Sequence, residues 1–229
     1  MKETPVKISE IFFSIQGEGL HIGIPMVFVR FQGCNLLTGC NWCDTKYARR
    51  DDGEHITVGE VVSEVSRLQP FYKGWVCITG GEPLFQDEAL EALVRTLREG
   101  KYKIEIETNG TLEKPNWYTL VDSWVADIKT PSSGVPEADP EILKDWVFNR
   151  PWDQIKMVVA NDEDLDYARE IIKRFPDRQT VTLISPCIGC FKSSLETCWL
   201  KDVAEFCKEH RVRMSLQLHK IIWGNKRGV

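Results

Sequence analysis

The sequence predicts an α/β fold built on a mostly parallel sheet with helical crossovers, and three observations carry that prediction. Short apolar runs of strand length alternate with segments of helical period. The candidate helices fall between the strands and do not form a block of their own, which favours crossover connections. The chemically conspicuous residues follow strand ends, where sheets of this kind gather their ligands.

Strands are expected over Lys7 to Ile15, Met26 to Phe31, Trp75 to Thr79, Lys103 to Thr108, Ser123 to Ile128, Gln154 to Ala160, Thr180 to Ile184 and Arg213 to Leu218. Thr57 and Glu60 have capping-box spacing ahead of a one-sided stripe of Val58, Val61, Val62, Val65 and Leu68, which predicts the first helix. Leu90, Leu93, Val94 and Leu97 make a second stripe, with Gly100 as its left-handed stop. A third helix starts near Asp162, carries Leu165, Ala168, Ile172 and Phe175 inward, and ends at Pro176; a fourth runs from Ser194 to His210. Gln16-Gly17-Glu18-Gly19, Gly33-Cys34, Gly80-Gly81-Glu82-Pro83, Thr108-Asn109-Gly110, Lys129-Thr130-Pro131 and Ser185-Pro186 all close strands. One active-site face is the economical reading.

A chain of 229 residues suffices for one substantial core, and without a repeat or a long linker one domain over 1–229 is expected. A formal charge of −5 argues against a general nucleic-acid binder, which would carry a basic face. No apolar run reaches the roughly 18 residues of a membrane span, and Met1 to Lys7 lack a signal-peptide core. A cytoplasmic setting follows, in which eight cysteines point to metal ligation or buried thiols more than to disulfides.

Cys34, Cys40 and Cys43 share one loop with little hydrophobic period. Thiolates are soft ligands for iron–sulfur clusters or zinc, and three of them can hold a cube while one iron stays open to a small molecule. Spacing alone is weak, because eight cysteines give about a quarter of one Cys-x-x-Cys pair by chance. A structural zinc loop or reduced buried thiols remain open on the cysteines alone.

The later Gly80-Gly81-Glu82-Pro83 changes the balance. With the cysteine loop, it makes the sequence resemble the radical S-adenosylmethionine (SAM) superfamily, whose usual signature is Cys-x3-Cys-x2-Cys followed by Gly-Gly-Glu-Pro. The resemblance implies that Cys34, Cys40 and Cys43 hold a 4Fe–4S cluster. It also implies that Gly81 and Glu82 lie against the amino group of SAM, which chelates the open iron. Here the first interval is five residues, Asn35 to Gly39, and Thr38 stands where a common member has its second cysteine. Cys40 keeps the second spacing and is the better ligand.

A narrower resemblance covers nearly the whole chain. Ser9 to Phe12, Ser14 to Gly19, Val27 to Phe31, Cys43-Asp44-Thr45, Thr79 to Pro83, Glu107 to Gly110, Met214 to Lys220 and Trp223 to Val229 are similar to the 7-carboxy-7-deazaguanine synthase family. That resemblance implies an abridged (partial) parallel β/α barrel of the radical SAM type. It implies conversion of 6-carboxy-5,6,7,8-tetrahydropterin to 7-carboxy-7-deazaguanine and ammonia, on the route to queuosine, with SAM regenerated. It assigns Ile15, Gln16, Gly17, Arg30, Thr79, Glu107 and His219 to the pterin, and Thr45 to Mg²⁺. It assigns Asp127, Ile128, Lys129, Ser185, Pro186, Cys187 and Ile188 to SAM. Asp127-Ile128-Lys129 departs from the Ser-Pro-Lys of relatives, and Ser185 stands where they often have Gln. A homodimer and an electron donor such as flavodoxin are implied too. The competing readings are a glycyl-radical-enzyme activase and a zinc-stabilised binding module using both Cys-x-x-Cys pairs, Cys40/Cys43 and Cys187/Cys190; a second cluster or zinc on Cys187, Cys190 and Cys198 is a further, less favoured reading. Cys77 and Cys207 lie on apolar patterns and read as core.

Overall fold

A computed structural model describes residues 3–36, 38–50, 52–53, 55–136, 139–188, 193–224 and 226–229, with only the backbone of 193–197. Its strands are β1 (Pro5–Ile15), β2 (Pro25–Phe31), β3 (His55–Thr57), β4 (Trp75–Gly80), β5 (Lys103–Thr108), β6 (Ser123–Asp127), β7 (Gln154–Val159), β8 (Val181–Pro186) and β9 (Arg213–Met214). They form one sheet in the order β3-β1-β2-β4-β5-β6-β7-β8-β9. β1 pairs antiparallel with both β2 and β3, and every pair from β2 onward is parallel. Strands β3 and β9 stand at opposite ends of that order, so the sheet is an open part of a β/α barrel.

The helices are α1 (Val58–Leu68), α2 (Asp87–Glu99), α3 (Pro140–Val147), α4 (Asp162–Arg174), α5 (Ser193–His210) and α6 (Leu218–Trp223). The first five lie on parallel crossovers, as the sequence predicts for most of them. At α1 the capping box is complete: Thr57 Oγ1 accepts from the Glu60 amide at 3.2 Å, and Glu60 Oε2 accepts from the Thr57 amide at 2.7 Å. Such a cap is worth about 1 kcal/mol.

Side-chain parity decides where the core ends and the site begins. Successive strand residues face opposite sides of a sheet. On β4, β5 and β7 one side carries Val76, Ile78, Ile104, Ile106, Ile155, Met157 and Val159, all buried in the two main hydrophobic clusters with the helices. The alternate positions carry Cys77, Thr79, Glu105, Glu107, Gln154 and Lys156. Glu105 and Gln154 meet across the second side, as do Thr79 and Glu107. One face of the same strands is thus a dry core and the other a polar interior.

Several boundaries differ from expectation. Gly100 is right-handed (φ −72°), and Lys101 takes the left-handed position after α2 (φ 64°). The strand expected over Arg213 to Leu218 stops at Met214. There the Ser215 amide still reaches Ile184 O, but the Leu218 amide turns to Gly17 O at 2.9 Å, and α6 begins. Strand β3 and helices α3 and α6 are too short for periodicity to announce them.

Candidate active site

The strand ends open into one cavity of about 500 Å³. Its walls join the cysteine loop to the polar face of the sheet and to the segment from Gln217 onward. Cys34, Cys40 and Cys43 all line it, are half-buried and carry free thiols. Asn109 Nδ2 points at Cys34 Sγ (3.9 Å) and donates to Asn35 Oδ1 at 2.7 Å. Burial pushes the thiols of Cys34 and Cys40 up, with Lys129 pulling Cys40 the other way.

Glycine holds the turn after β4 against that loop. A Cβ on Gly81 would stand 2.0 Å from Gly33 O, and one on Gly80 would stand 2.2 Å from Phe31 O. Gly80 also has φ 141°, which side chains rarely adopt. The contact is sealed by backbone bonds from Gly81 N to Phe31 O (3.1 Å) and from Glu82 N to Gly33 O (2.8 Å).

Glu82 then braces the turn from below. Its carboxylate accepts from Leu84 N, Thr108 Oγ1 and Asn109 N at 3.0, 2.9 and 2.6 Å. Burial pushes its pKa up to about 7 in spite of those donors. Glu82 itself does not line the cavity. It fixes the turn that carries Gly81.

Four residues expected at SAM also stand off the cavity wall. Ile128 is packed in the second hydrophobic cluster, and Ser185 and Pro186 are buried; none of them, nor Ile188, lines the cavity. Ser185 Oγ is buried without a hydrogen-bond partner among the described residues. Gln16 does border the cavity, but its amide is a buried brace: Nε2 donates to Glu105 Oε1 (2.6 Å) and Glu107 Oε1 (3.2 Å), while Oε1 accepts from Gly17 N and Glu18 N. Gly17 gives its carbonyl to Leu218 N. Gln16 and Gly17 therefore shape the floor and do not present free amide groups.

Ile15, Arg30, Thr45, Thr79, Gly81, Glu107, Asp127, Lys129, Cys187 and His219 all reach the cavity. Arg30 donates its Nε to Glu10 Oε1 at 2.7 Å, and Tyr47 Oη donates to the same oxygen at 2.6 Å. Thr79 Oγ1 donates to Glu107 Oε2 at 2.8 Å, and burial raises the Glu107 pKa. Thr45 precedes a short helical turn without capping it; its hydroxyl lies 3.7 Å from Cys43 Sγ. Burial lowers the His219 pKa. Cys187 is disulfide-bonded, so it is no zinc thiolate, and Cys190 lies outside the described residues. Cys77 and Cys207 are buried as expected, although Cys77 lies beside Glu105 and Glu107.

Sequence reasoning gave no role to Lys156, Glu18, Asp44, Lys220, Tyr47 or Arg227. Lys156 Nζ meets Glu18 Oε2 at 2.9 Å, Gln217 Nε2 donates to Glu18 Oε1, and Lys220 links Gln217 to Asp44. Burial works against the Glu18 charge, yet Lys156 and Gln217 bring its pKa down to about 2. Arg227 lies over the Tyr47 ring at 3.5 Å. For Lys156 a signal did exist: a lysine between Ile155 and Met157 must face away from the core.

The Radical SAM superfamily model matches residues 28–161, more than half of the chain, and puts it in that class of enzymes. Closer relatives narrow the class. A 7-carboxy-7-deazaguanine synthase of Methanospirillum hungatei is 39% identical over 95% of this chain and 85% of its own length. That of Clostridium acetobutylicum is 38% identical, covering 97% and 99%. The crystal structure of QueE from Escherichia coli shares the fold at a TM-score of 0.70 and 24% identity, with 94% of this chain and 95% of that one covered. The chain belongs to the 7-carboxy-7-deazaguanine synthase family.

Membership of the class implies a 4Fe–4S cluster, SAM, a small-molecule substrate and a reductant. The donor set fits. Three free thiols on one cavity wall suit a cube with one open iron. Asp127 Oδ1 is buried without a hydrogen-bond partner among the described residues, and it suits a hydroxyl donor such as ribose offers. No helix among the described residues is long and apolar enough to cross a membrane.

Proposed function

We propose that this chain converts 6-carboxy-5,6,7,8-tetrahydropterin to 7-carboxy-7-deazaguanine and ammonia; its relatives are named as synthases of that product. The observation that carries the reading is the single cavity shared by Cys34, Cys40 and Cys43 and the polar face of β4, β5 and β7. Cys34, Cys40 and Cys43 would hold the cluster, and Gly81, Asp127 and Lys129 would line the SAM side. When bound, the reduced cluster and SAM supply the radical chemistry, and the protein's part is placement and exclusion of water.

The chain's own residues divide that task. Arg30 keeps part of its guanidinium fork after satisfying Glu10, which suits the substrate carboxylate. Glu107, held by Thr79 and Gln16, suits the donor edge of a pterin. Lys156 and Glu18 form a half-buried ion pair of zero net charge beside it. Thr45, whose hydroxyl caps no helix and shares a hydrogen bond with Cys43 Sγ, is the oxygen ligand we assign to Mg²⁺. His219 closes the substrate side over Gly17. A cytoplasmic homodimer reduced by a flavodoxin-like donor completes the reading.

The test is anaerobic reconstitution with iron and sulfide, then assay with SAM, reductant and carboxytetrahydropterin. We expect about four irons per chain and formation of the deazaguanine. Cys34→Ala, Cys40→Ala and Cys43→Ala should each lose the cluster, and Cys187→Ala should keep it. Full iron without turnover of the pterin would overturn the substrate, and zinc in place of iron would overturn the chemistry.

A further inference from the structure

The first turn of α4 carries a carboxylate that the cavity does not use. Asp164 is fully buried and lies off the cavity wall. It is not needed as a helix cap, because Asn161 Oδ1 already accepts from the Asp164 amide at 3.0 Å. Its carboxylate instead joins two other segments. Oδ1 accepts from Ser132 N at 3.0 Å, and Oδ2 accepts from Ser132 Oγ and from Ala160 N, the latter at 2.7 Å. Ser132 lies in the turn after β6, and Ala160 follows β7. A buried carboxylate is costly unless its oxygens find donors, and here three donors meet it.

The turn that Asp164 holds is the seat of the cysteine loop. Ser132 O accepts from Asn41 Nδ2 at 3.0 Å, and Ser133 O accepts from Asn41 N at 2.9 Å. Gly134 ends the turn with φ 71°, and a Cβ there would stand 2.7 Å from Asn41 Nδ2. The seat thus takes Asn41 closely, in a backbone conformation that favours glycine. Asn41 follows Cys40 directly and stands two residues before Cys43. Hydrogen bonds therefore run without a gap from Asp164 through Ser132 to Asn41, between the second and third cysteines of the loop.

On the reading that Cys40 and Cys43 hold the cluster, we propose that Asp164 is a positioning residue for it: through Ser132 and Asn41 it fixes the Cys40–Cys43 half of the loop, and so sets how tightly the chain keeps its iron. Asn41 is exposed, so its own bonds compete with water. The rigidity of the seat decides whether they hold, and Asp164 supplies that rigidity from the buried side.

The experiment follows iron release to an excess of chelator from the reconstituted full chain, for Asn41→Ala, Asp164→Asn and the double variant. Asparagine keeps the shape of Asp164 but sets an N–H against one of its three donors. Each single change should speed release about tenfold, the scale of losing one hydrogen-bonded contact. The double variant should be no faster than the singles, because both cut one strut. An Asp164 that serves only α4 would leave release unchanged or give rates that multiply in the double variant, and either result would overturn the proposal. Hydrogen exchange in the peptide carrying Asn41 is a second readout that needs no iron. Asp164→Asn should speed it, and exchange as slow as in the parent would overturn the strut. If Asp164→Asn does not fold, Ser132→Ala takes its place with the same signs, since it removes only the hydroxyl. A parent chain that takes up no cluster would instead overturn the reading of Cys40 and Cys43, and the exchange result would still decide the strut.

Discussion

Gly17 lies so close to His219 that a Cβ built on it would stand 2.2 Å from the imidazole Nδ1. The contact joins the loop after β1 to α6, and the bond from Leu218 N to Gly17 O fixes its height. Gly17→Ala should therefore push the imidazole out of place while leaving the hydrophobic clusters intact. We expect a thermal midpoint within a few degrees of the parent, since a sub-kcal/mol change moves a domain of this size by about that much. Turnover should fall at least tenfold with the cluster kept. Parent-like turnover would show that His219 tolerates displacement and has no part in placing substrate.

Arg30 is a second point of leverage. Its Nε is held by Glu10, which also takes the Tyr47 hydroxyl and lies 3.5 Å from Arg227. Removing one partner of a buried charge pair typically costs about 2–5 kcal/mol. Arg30→Ala should weaken pterin affinity on that scale and leave SAM affinity nearly unchanged, measured by calorimetry on the reconstituted protein. Glu10→Gln should weaken pterin binding less, by letting the guanidinium drift. Equal loss of both affinities in Arg30→Ala would assign Arg30 to the fold.

Thr45 offers a clean substitution because its hydroxyl caps nothing. Product formation should rise with added Mg²⁺, and Thr45→Val should lose most of that rise with an unchanged iron content. Valine keeps the shape and removes the oxygen ligand. An identical Mg²⁺ response in the variant would reject Thr45 as a ligand.

Glu82 predicts a pH effect of unusual sign for a carboxylate. Its folded pKa of about 7 exceeds the ordinary 4.5, so between these values the folded chain binds the proton that the unfolded chain releases. Stability should thus fall as pH rises from about 4.5 to 7 and level off above that. The full effect is on the order of 3 kcal/mol. Urea melts from pH 5 to 8 should show the decline in the parent and a flatter profile in Glu82→Gln. Parallel profiles would mean that the Asn109, Leu84 and Thr108 donors already cancel the burial cost.

Much of this molecule is legible in the sequence, because its signals are local. The capping box at Thr57, the apolar stripes of α1 and α2, and the polar loops at strand ends are each written within a few residues. The class of site was legible for the same reason: three cysteines and Gly-Gly-Glu-Pro are contiguous motifs. Partner choice was not. Glu82 resembles a ligand in its motif, but tertiary packing gives its carboxylate to the end of β5. Gln16 was read as a substrate amide, yet it spans Glu105 and Glu107, 89 and 91 positions away. The Lys156–Glu18 pair spans 138 positions, and no window along the chain could have shown it.

The cysteine loop is pinned on both sides of the interval between Cys34 and Cys40. Gly33 is locked to Ala48 and Glu82 by backbone bonds, and Asn41 N is tied to Ser133 O at 2.9 Å. Between those anchors Asn35 accepts from Asn109 Nδ2 and donates to Thr111 Oγ1, so the loop is also held to the end of β5. Closing a loop two residues longer costs less than about 1 kcal/mol. The two extra residues between Cys34 and Cys40 therefore add little to the entropy of closing the loop, and the anchors on either side fix where it leaves and rejoins the barrel.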